Sequence, residues 1–240
     1  QVIRVEQGEG LHLVEVPYDH LVFCLGKVAD YSRIPGAKHH ALSMRTMADA
    51  FHMRNHIIRC LELADIESDP DRRKMLLTFV VAGGGFSGVE TVGELHELVE
   101  RTLKYFTTID KKELRFVLVH SRNALLPELP ESLGKAAERM LTRRGVEVRL
   151  NVRVRASSRD FVYFNDGDRR RTRTFVCTVG NAPTPIAAQL LKEPEFTDTV
   201  YNGRTIGLFQ TDTHLRCQGH ENYWALGDCG GIPDLLTGDI

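Results

Sequence analysis

The alternation of apolar and polar residues changes period along the chain. Residues 1–25 alternate in strand fashion, and Tyr18-Asp19-His20-Leu21-Val22-Phe23-Cys24-Leu25-Gly26 reads as a buried strand closed by a glycine turn. After a loop through Pro35-Gly36, the residues Met44, Met47, Ala48, Phe51, Ile58 and Leu61 keep helical spacing and predict a helix over 43–66. The polar stretch Ser68-Asp69-Pro70-Asp71-Arg72-Arg73-Lys74 interrupts that pattern and predicts a domain boundary. Residues 75–82 are uniformly apolar, as a strand buried on both faces must be. A helix over 87–105, a strand over 114–120, a helix over 131–144 stopped by Gly145, and a strand over 146–150 follow. This β-α-β-α-β order implies an α/β fold with a parallel sheet and right-handed crossovers. Residues 161–164 and 174–179 then read as hairpin strands around Asn165-Asp166-Gly167.

Charge narrows the partners. With 31 basic and 32 acidic residues the net charge is −1, so no general electrostatic attraction to nucleic acid is expected. The basic run Arg169-Arg170-Arg171-Thr172-Arg173 follows the Asn-Asp-Gly turn and reads as a solvated hairpin. The 5 cysteines are scattered and never spaced C-x-x-C, which argues against a disulfide scaffold, a zinc ribbon or a dithiol centre. They read as small buried hydrophobes in a reducing, cytoplasmic compartment. No window reaches the ~18 apolar residues that a membrane helix needs. His52 and His56 are spaced i,i+4, but nothing completes a metal set, so no metal site is expected. The chain starts at Gln1 and ends at Gly238-Asp239-Ile240 just after a turn-like Leu-Thr-Gly, and it reads as an interior piece of a longer protein.

The candidate chemistry lies at Gly83-Gly84-Gly85-Phe86-Ser87-Gly88. A G-x-G-x-x-G string that follows a strand and opens a helix is the context of a dinucleotide site. Gly83 would allow the tight turn, Gly85 the approach of a pyrophosphate, and Gly88 the close packing of helix on strand. The helix start at Phe86 and Ser87 would aim N–H groups and a partial positive charge at the phosphates. An NAD site places an acid at the end of the second strand, for the ribose 2′-hydroxyl. Here the position is His120, with Arg122 two residues on. One loop arginine is thin support for a 2′-phosphate site, so NADH is favoured and NADPH stays open.

Val80-Val81-Ala82-Gly83-Gly84-Gly85-Phe86-Ser87-Gly88-Val89-Glu90, Cys177-Thr178-Val179-Gly180-Asn181-Ala182-Pro183 and Trp224-Ala225-Leu226-Gly227-Asp228-Cys229 resemble three signatures of two-dinucleotide flavoproteins. Within that superfamily the chain is similar to type II NADH dehydrogenases, the non-proton-pumping NADH:quinone oxidoreductases. The resemblance implies a Rossmann-like nicotinamide domain at 75–182, inserted in an FAD-binding domain represented by 1–74 and 183–240. It implies FAD and NAD(H) as cofactors, a quinone as acceptor, and peripheral contact with the inner face of the cell membrane. It also allows a homodimer. Gly227 and Asp228 would meet the ribityl-phosphate region of FAD, with Leu25 and Gly26 near the flavin, and Gly180 belongs to the second signature. Glu90 matches the family's acid at the junction of nicotinamide, flavin and quinone. An acid in the first helical turn, complementing the helix dipole, would be its purely structural role.

Two rivals remain at this level. One is a reductase of the same architecture that passes electrons to an iron–sulfur protein or a disulfide. The other is a nucleotide-binding protein without turnover. The family's N-terminal glycine fingerprint and its C-terminal amphipathic membrane region are absent from these 240 residues. The purified chain is therefore expected to be colourless yet to bind nicotinamide nucleotide weakly. An absorbance spectrum showing stoichiometric flavin would contradict this.

Overall fold

The computed structural model describes residues 2–7, 12–201 and 203–234, so the turn expected at Leu236–Gly238 lies outside the described residues. The chain forms two compact units. The inner one is continuous, Ala29–Gly180, and the other is assembled from the flanks, up to Val28 and from Asn181 onward.

The inner unit is organised by the strand Thr78–Ala82, buried at every position. It pairs in parallel with Arg115–Val119 on one side and Thr174–Cys177 on the other, and Val146–Arg149 extends the sheet beyond Arg115–Val119. Alternate residues point to opposite faces, as the pleat requires. Phe79 and Val81 enter a core with Met53, Ile57, Leu61 and Leu95 from the helices Met47–Ile66 and Phe86–Thr102. Val80 and Ala82 enter the opposite core, with Val117, Val162 and Phe164. Helices therefore cover one face, while an antiparallel meander of Val154–Ser157, Phe161–Phe164 and Arg169–Arg171 supplies residues to the other. Among the described residues no helix is long and apolar enough to cross a membrane.

Several elements differ from expectation, each for a local reason. The polar breaker is a helix, Pro70–Leu76. Asp69 caps it by accepting the N–H groups of Asp71 and Arg72, and Pro70 at the first helical position needs no donor. Met75 and Leu76 thus close a helix and do not open the strand. Thr174–Cys177 is not a hairpin strand, since its four buried positions suit a parallel strand. Across Asn165-Asp166-Gly167, Phe161–Phe164 pairs with Arg169–Arg171 instead, and Gly167 takes φ +88°. The basic run lies in that hairpin as expected, with Arg170 paired to Glu147 and Asp168 and Arg173 to Asp160. The helix Met47–Ile66 starts at a Thr46–Asp49 capping box and buries Met53, Ile57, Cys60, Leu61 and Ala64. Met47 and Phe51, expected on the buried face, are exposed. The helices Met47–Ile66 and Pro70–Leu76 fall within the inner unit, which begins at Ala29. The reason is that the long helix contributes its apolar face to the core under the sheet.

The flanking unit joins segments about 200 residues apart. Leu21–Phe23 runs parallel to Tyr223–Ala225, and Phe23 stacks on Phe209 with ring centroids 4.7 Å apart. Phe196, Cys217, Tyr223 and Cys229 complete that core. An antiparallel hairpin, Val2–Gln7 with His12–Pro17, belongs to the same unit.

One arginine ties together three segments of the inner unit. Arg73 donates to both carboxylate oxygens of Glu113, at 2.7 and 3.0 Å, and to the carbonyls of Ala64 and Thr108. The hydrogen bond from Arg73 holds the Glu113 carboxyl below its usual pKa, against the opposing effect of desolvation. Arg73→Met should lower unfolding stability by about 2–3 kcal/mol, because it strands the Glu113 charge and leaves two carbonyls without their donor. Denaturant unfolding of wild type and variant checks this. The pair's contribution is full above the ordinary glutamate pKa and fades as pH falls through the lower folded value, so the difference between the two proteins should shrink in acid.

Candidate functional site

The glycine loop sits at the carboxyl end of Thr78–Ala82, the edge where open parallel sheets take ligands. Gly83 adopts φ +123°, a conformation that side chains resist, and its N–H donates to the Val119 carbonyl at 2.9 Å. Gly88 has no room for a side chain: its Cβ would lie 1.8 Å from the Gly83 carbonyl oxygen. Gly85 is the opposite case. It precedes the helix Phe86–Thr102 in an extended conformation, and a Cβ there would meet nothing within 4 Å. So Gly83 and Gly88 are required by packing, whereas Gly85 keeps a clear approach to the loop.

No side chain caps the start of this helix. Its first N–H groups have no partner within the helix and face the loop with the positive end of the dipole. Phe86 and Ser87 open the helix and are both exposed. This arrangement can hold an anion.

Glu90 is exposed and lies just past the first turn of the helix, which contains no acid because the helix starts one residue earlier than expected. The dipole effect falls off within that turn, which weakens a purely electrostatic role. Glu90 lines a cleft of about 660 Å³ between this helix and Met47–Ile66, together with Phe86, Ser87, Met53, Arg54 and Glu94.

His120 follows the strand Arg115–Val119 and accepts the Gly84 N–H on Nδ1 at 3.1 Å. Gly180 adopts φ +92°, and its carbonyl accepts the Asp30 N–H at 3.0 Å. A Cβ at Gly180 would lie 1.9 Å from the Asp30 carbonyl oxygen, so this glycine permits two passes of the backbone to touch.

In the flanking unit the parallel pairing of Leu21–Phe23 with Tyr223–Ala225 brings two further candidate pairs to one end of two adjacent strands. Leu25-Gly26 follows the first strand and Gly227-Asp228 the second. Gly26 and Gly227 adopt φ of +62° and +65°, with open space where a Cβ would stand. The Leu25 N–H donates to Cys229 Sγ at 3.3 Å, and that thiol donates to the Phe23 carbonyl. Asp228 is exposed in the turn Gly227–Cys229.

Sequence reasoning missed Gly84 and Thr178. A Cβ on Gly84 would come within 2.5 Å of the His120 ring, and Thr178 Oγ1 lies 2.2 Å from the place of a Gly83 Cβ. The only signals were the middle glycine of the triplet and a small β-branched residue after a buried strand. Four of the five cysteines are buried, as expected of small hydrophobes, and Cys24 is exposed. Burial pushes the Cys60 and Cys177 thiols up, which makes them poor nucleophiles. His56 hydrogen-bonds Thr174 at 3.0 Å and is a satisfied, largely enclosed histidine.

The model of the pyridine nucleotide-disulphide oxidoreductase family matches residues 1–238. Among curated relatives, the type II NADH:quinone oxidoreductase NdhA of Mycobacterium tuberculosis is 33% identical over 232 residues, covering 93% of this chain and 48% of that protein. An external alternative NADH-ubiquinone oxidoreductase of Yarrowia lipolytica mitochondria is 28% identical over 234 residues, covering 94% of this chain and 39% of that protein. The chain thus spans about half the length or less of these relatives. Among solved structures, NDH2 from Plasmodium falciparum in complex with NADH superposes with a TM-score of 0.82 at 20% identity, over 94% of this chain and 46% of that one. These likenesses bear out the α/β fold and the resemblance read from the three signatures.

Gly88 and Gly85 should separate packing from binding. Gly88→Ala is expected to cost about 3 kcal/mol of stability, because a Cβ would overlap backbone. Gly85→Ala should change stability by less than about 0.5 kcal/mol. It should nevertheless weaken nicotinamide nucleotide binding at least about tenfold, by crowding the phosphate approach. Denaturant unfolding and calorimetric titration of the two variants read both quantities.

Proposed function

Because the chain belongs to the pyridine nucleotide-disulphide oxidoreductase family, we propose that it serves an NADH dehydrogenase that passes electrons from NADH through FAD to a quinone. The observation that carries this reading is the uncapped start of the helix Phe86–Thr102, beside a glycine loop with clear space at Gly85. The names of the relatives supply the acceptor: those at 33% identity are type II NADH:quinone oxidoreductases.

In this reading residues 75–182 hold NADH, with the pyrophosphate on the N–H groups from Phe86 onward and the backbone of Gly85 giving it room. The residues present also fit part of an FAD site. Gly26 and Gly227 leave open backbone at the ends of adjacent parallel strands, and Asp228 is an exposed acceptor beside them. Asp228 would accept hydrogen bonds from ribityl hydroxyls, while Gly26 and Gly227 let the group approach the main chain. When bound, FAD supplies the capacity to take two electrons from NADH and give them to a quinone. The protein's part is to orient the donor, keep water away and manage a proton. In this reading Glu90 handles that proton. Its carboxylate is exposed at an apolar cleft next to the first helical turn, where it can hold or release the proton that quinone reduction requires. A quinone is lipid-soluble, so the reaction belongs at a membrane surface, reached by peripheral contact on its inner face.

Quinone-dependent NADH oxidation by the natural full-length polypeptide tests this directly, and its absence would overturn the reading. Glu90→Gln in that polypeptide should lower kcat by about a hundredfold. Its melting temperature should move by less than about 2 °C, because an exposed residue is exchanged for one of the same shape. Unchanged kinetics would remove the proton role of Glu90.

A further inference from the structure

His120 occupies the place where a domain specific for NAD carries its carboxylate, yet its ring is turned toward the loop backbone. The Gly84 N–H donates to Nδ1 at 3.1 Å. A nitrogen that accepts an N–H carries no proton, so the neutral ring must hold its own proton on Nε2. Nε2 is enclosed and has no hydrogen-bond partner among the described residues. Ring and loop are in contact, since a Cβ on Gly84 would reach to 2.5 Å from the imidazole. On its other side Gly84 accepts the Leu126 N–H at 2.8 Å, so the middle glycine is gripped by the segment that follows the strand Arg115–Val119. Desolvation first, and the Arg122 charge second, hold the His120 pKa below its ordinary value, with Glu128 opposing. The ring stays neutral and Nδ1 stays free to accept.

We propose that His120 is a positioning residue for the glycine loop, and that it leaves the ribose 2′ corner without a negative charge, so the domain accepts 2′-phosphorylated as well as 2′-hydroxyl nicotinamide nucleotides. The proposal rests on the reading of the loop as the NADH site. A carboxylate at position 120 would bind the ribose hydroxyls and repel a 2′-phosphate. A neutral ring committed to Gly84 does neither. Arg122, exposed two residues on, is the cation that a 2′-phosphate would meet there. Glu128 is the acid whose field also reaches the ring.

Calorimetric titration of this chain with NADH and with NADPH tests the proposal. The two dissociation constants should agree within about tenfold. His120→Asp should weaken NADPH relative to NADH by a further tenfold or more, about 1.4 kcal/mol. His120→Asn keeps an acceptor for the Gly84 N–H without a charge, and should leave both affinities near wild type. His120→Leu removes that acceptor and should weaken both nucleotides together, with their ratio unchanged. Nitrogen-15 shifts of the His120 ring should show a bare Nδ1 and a protonated Nε2, a signature that a merely space-filling ring need not have. A preference for NADH above about a hundredfold in the wild-type chain would overturn the proposal. So would such a preference that disappears in Glu128→Gln, or a ring protonated on Nδ1. Binding of neither nucleotide would overturn the reading of the loop itself, whereas tight NADH with strict rejection of NADPH overturns only the role given to His120.

Discussion

The Gly83 carbonyl oxygen stands 1.8 Å from where a Cβ at position 88 would be, and this one close approach governs the inner unit. It allows the helix Phe86–Thr102 to lie directly against the strand Thr78–Ala82, so that Val92, Leu95 and Val99 reach the core that Phe79 and Val81 face. Seated in this way, the helix starts immediately after the strand ends, with only Gly83, Gly84 and Gly85 between them. Its unpaired N–H groups are held at the carboxyl edge of the sheet by the packing behind them. An anion bound there would owe its place to a buried contact some residues away, and would need no charged side chain.

The flanking unit reaches a similar result by pairing. Two strands from opposite ends of the chain run parallel, so their carboxyl ends fall side by side and each delivers a glycine in a left-handed conformation. Around them an aromatic cluster of Phe23, Phe196, Phe209 and Tyr223 gives a small unit a firm core. Open backbone at these two glycines is thus combined with a packed aromatic core in the same unit.

Much of this was legible in the sequence. The glycine loop, the buried strands Thr78–Ala82 and Arg115–Val119 and the helix stopped by Gly145 all follow from local composition and period. What failed to show depended on partners distant in sequence. The strand Thr174–Cys177 looks like half of a hairpin until Thr78–Ala82 is known to be waiting for a parallel neighbour. Met47 and Phe51 have the right spacing for burial, but the helix is rolled so that Met53 and Ile57 face the core. Asp69-Pro70 was readable as a helix start, and was obscured by the charges that follow it. The role of His120 was hidden because it depends on a hydrogen bond to Gly84, 36 residues earlier, and residue type alone suggested only a missing acid. The candidate site was therefore legible in its glycines and acids, and not in the residues that brace them.

The contact between Asp30 and Gly180 has a consequence for how the chain reaches this state. The inner unit begins and ends at neighbouring points, joined by the Asp30 N–H on the Gly180 carbonyl. For an unstructured segment of roughly 150 residues, bringing the ends together would cost about 4 kcal/mol of chain entropy. Once the inner unit has folded, that cost has already been met, and the two halves of the flanking unit are tethered as if by a short link. A side chain at position 180 would press on the Asp30 carbonyl and part the two ends from which the flanks leave, lengthening the link between them.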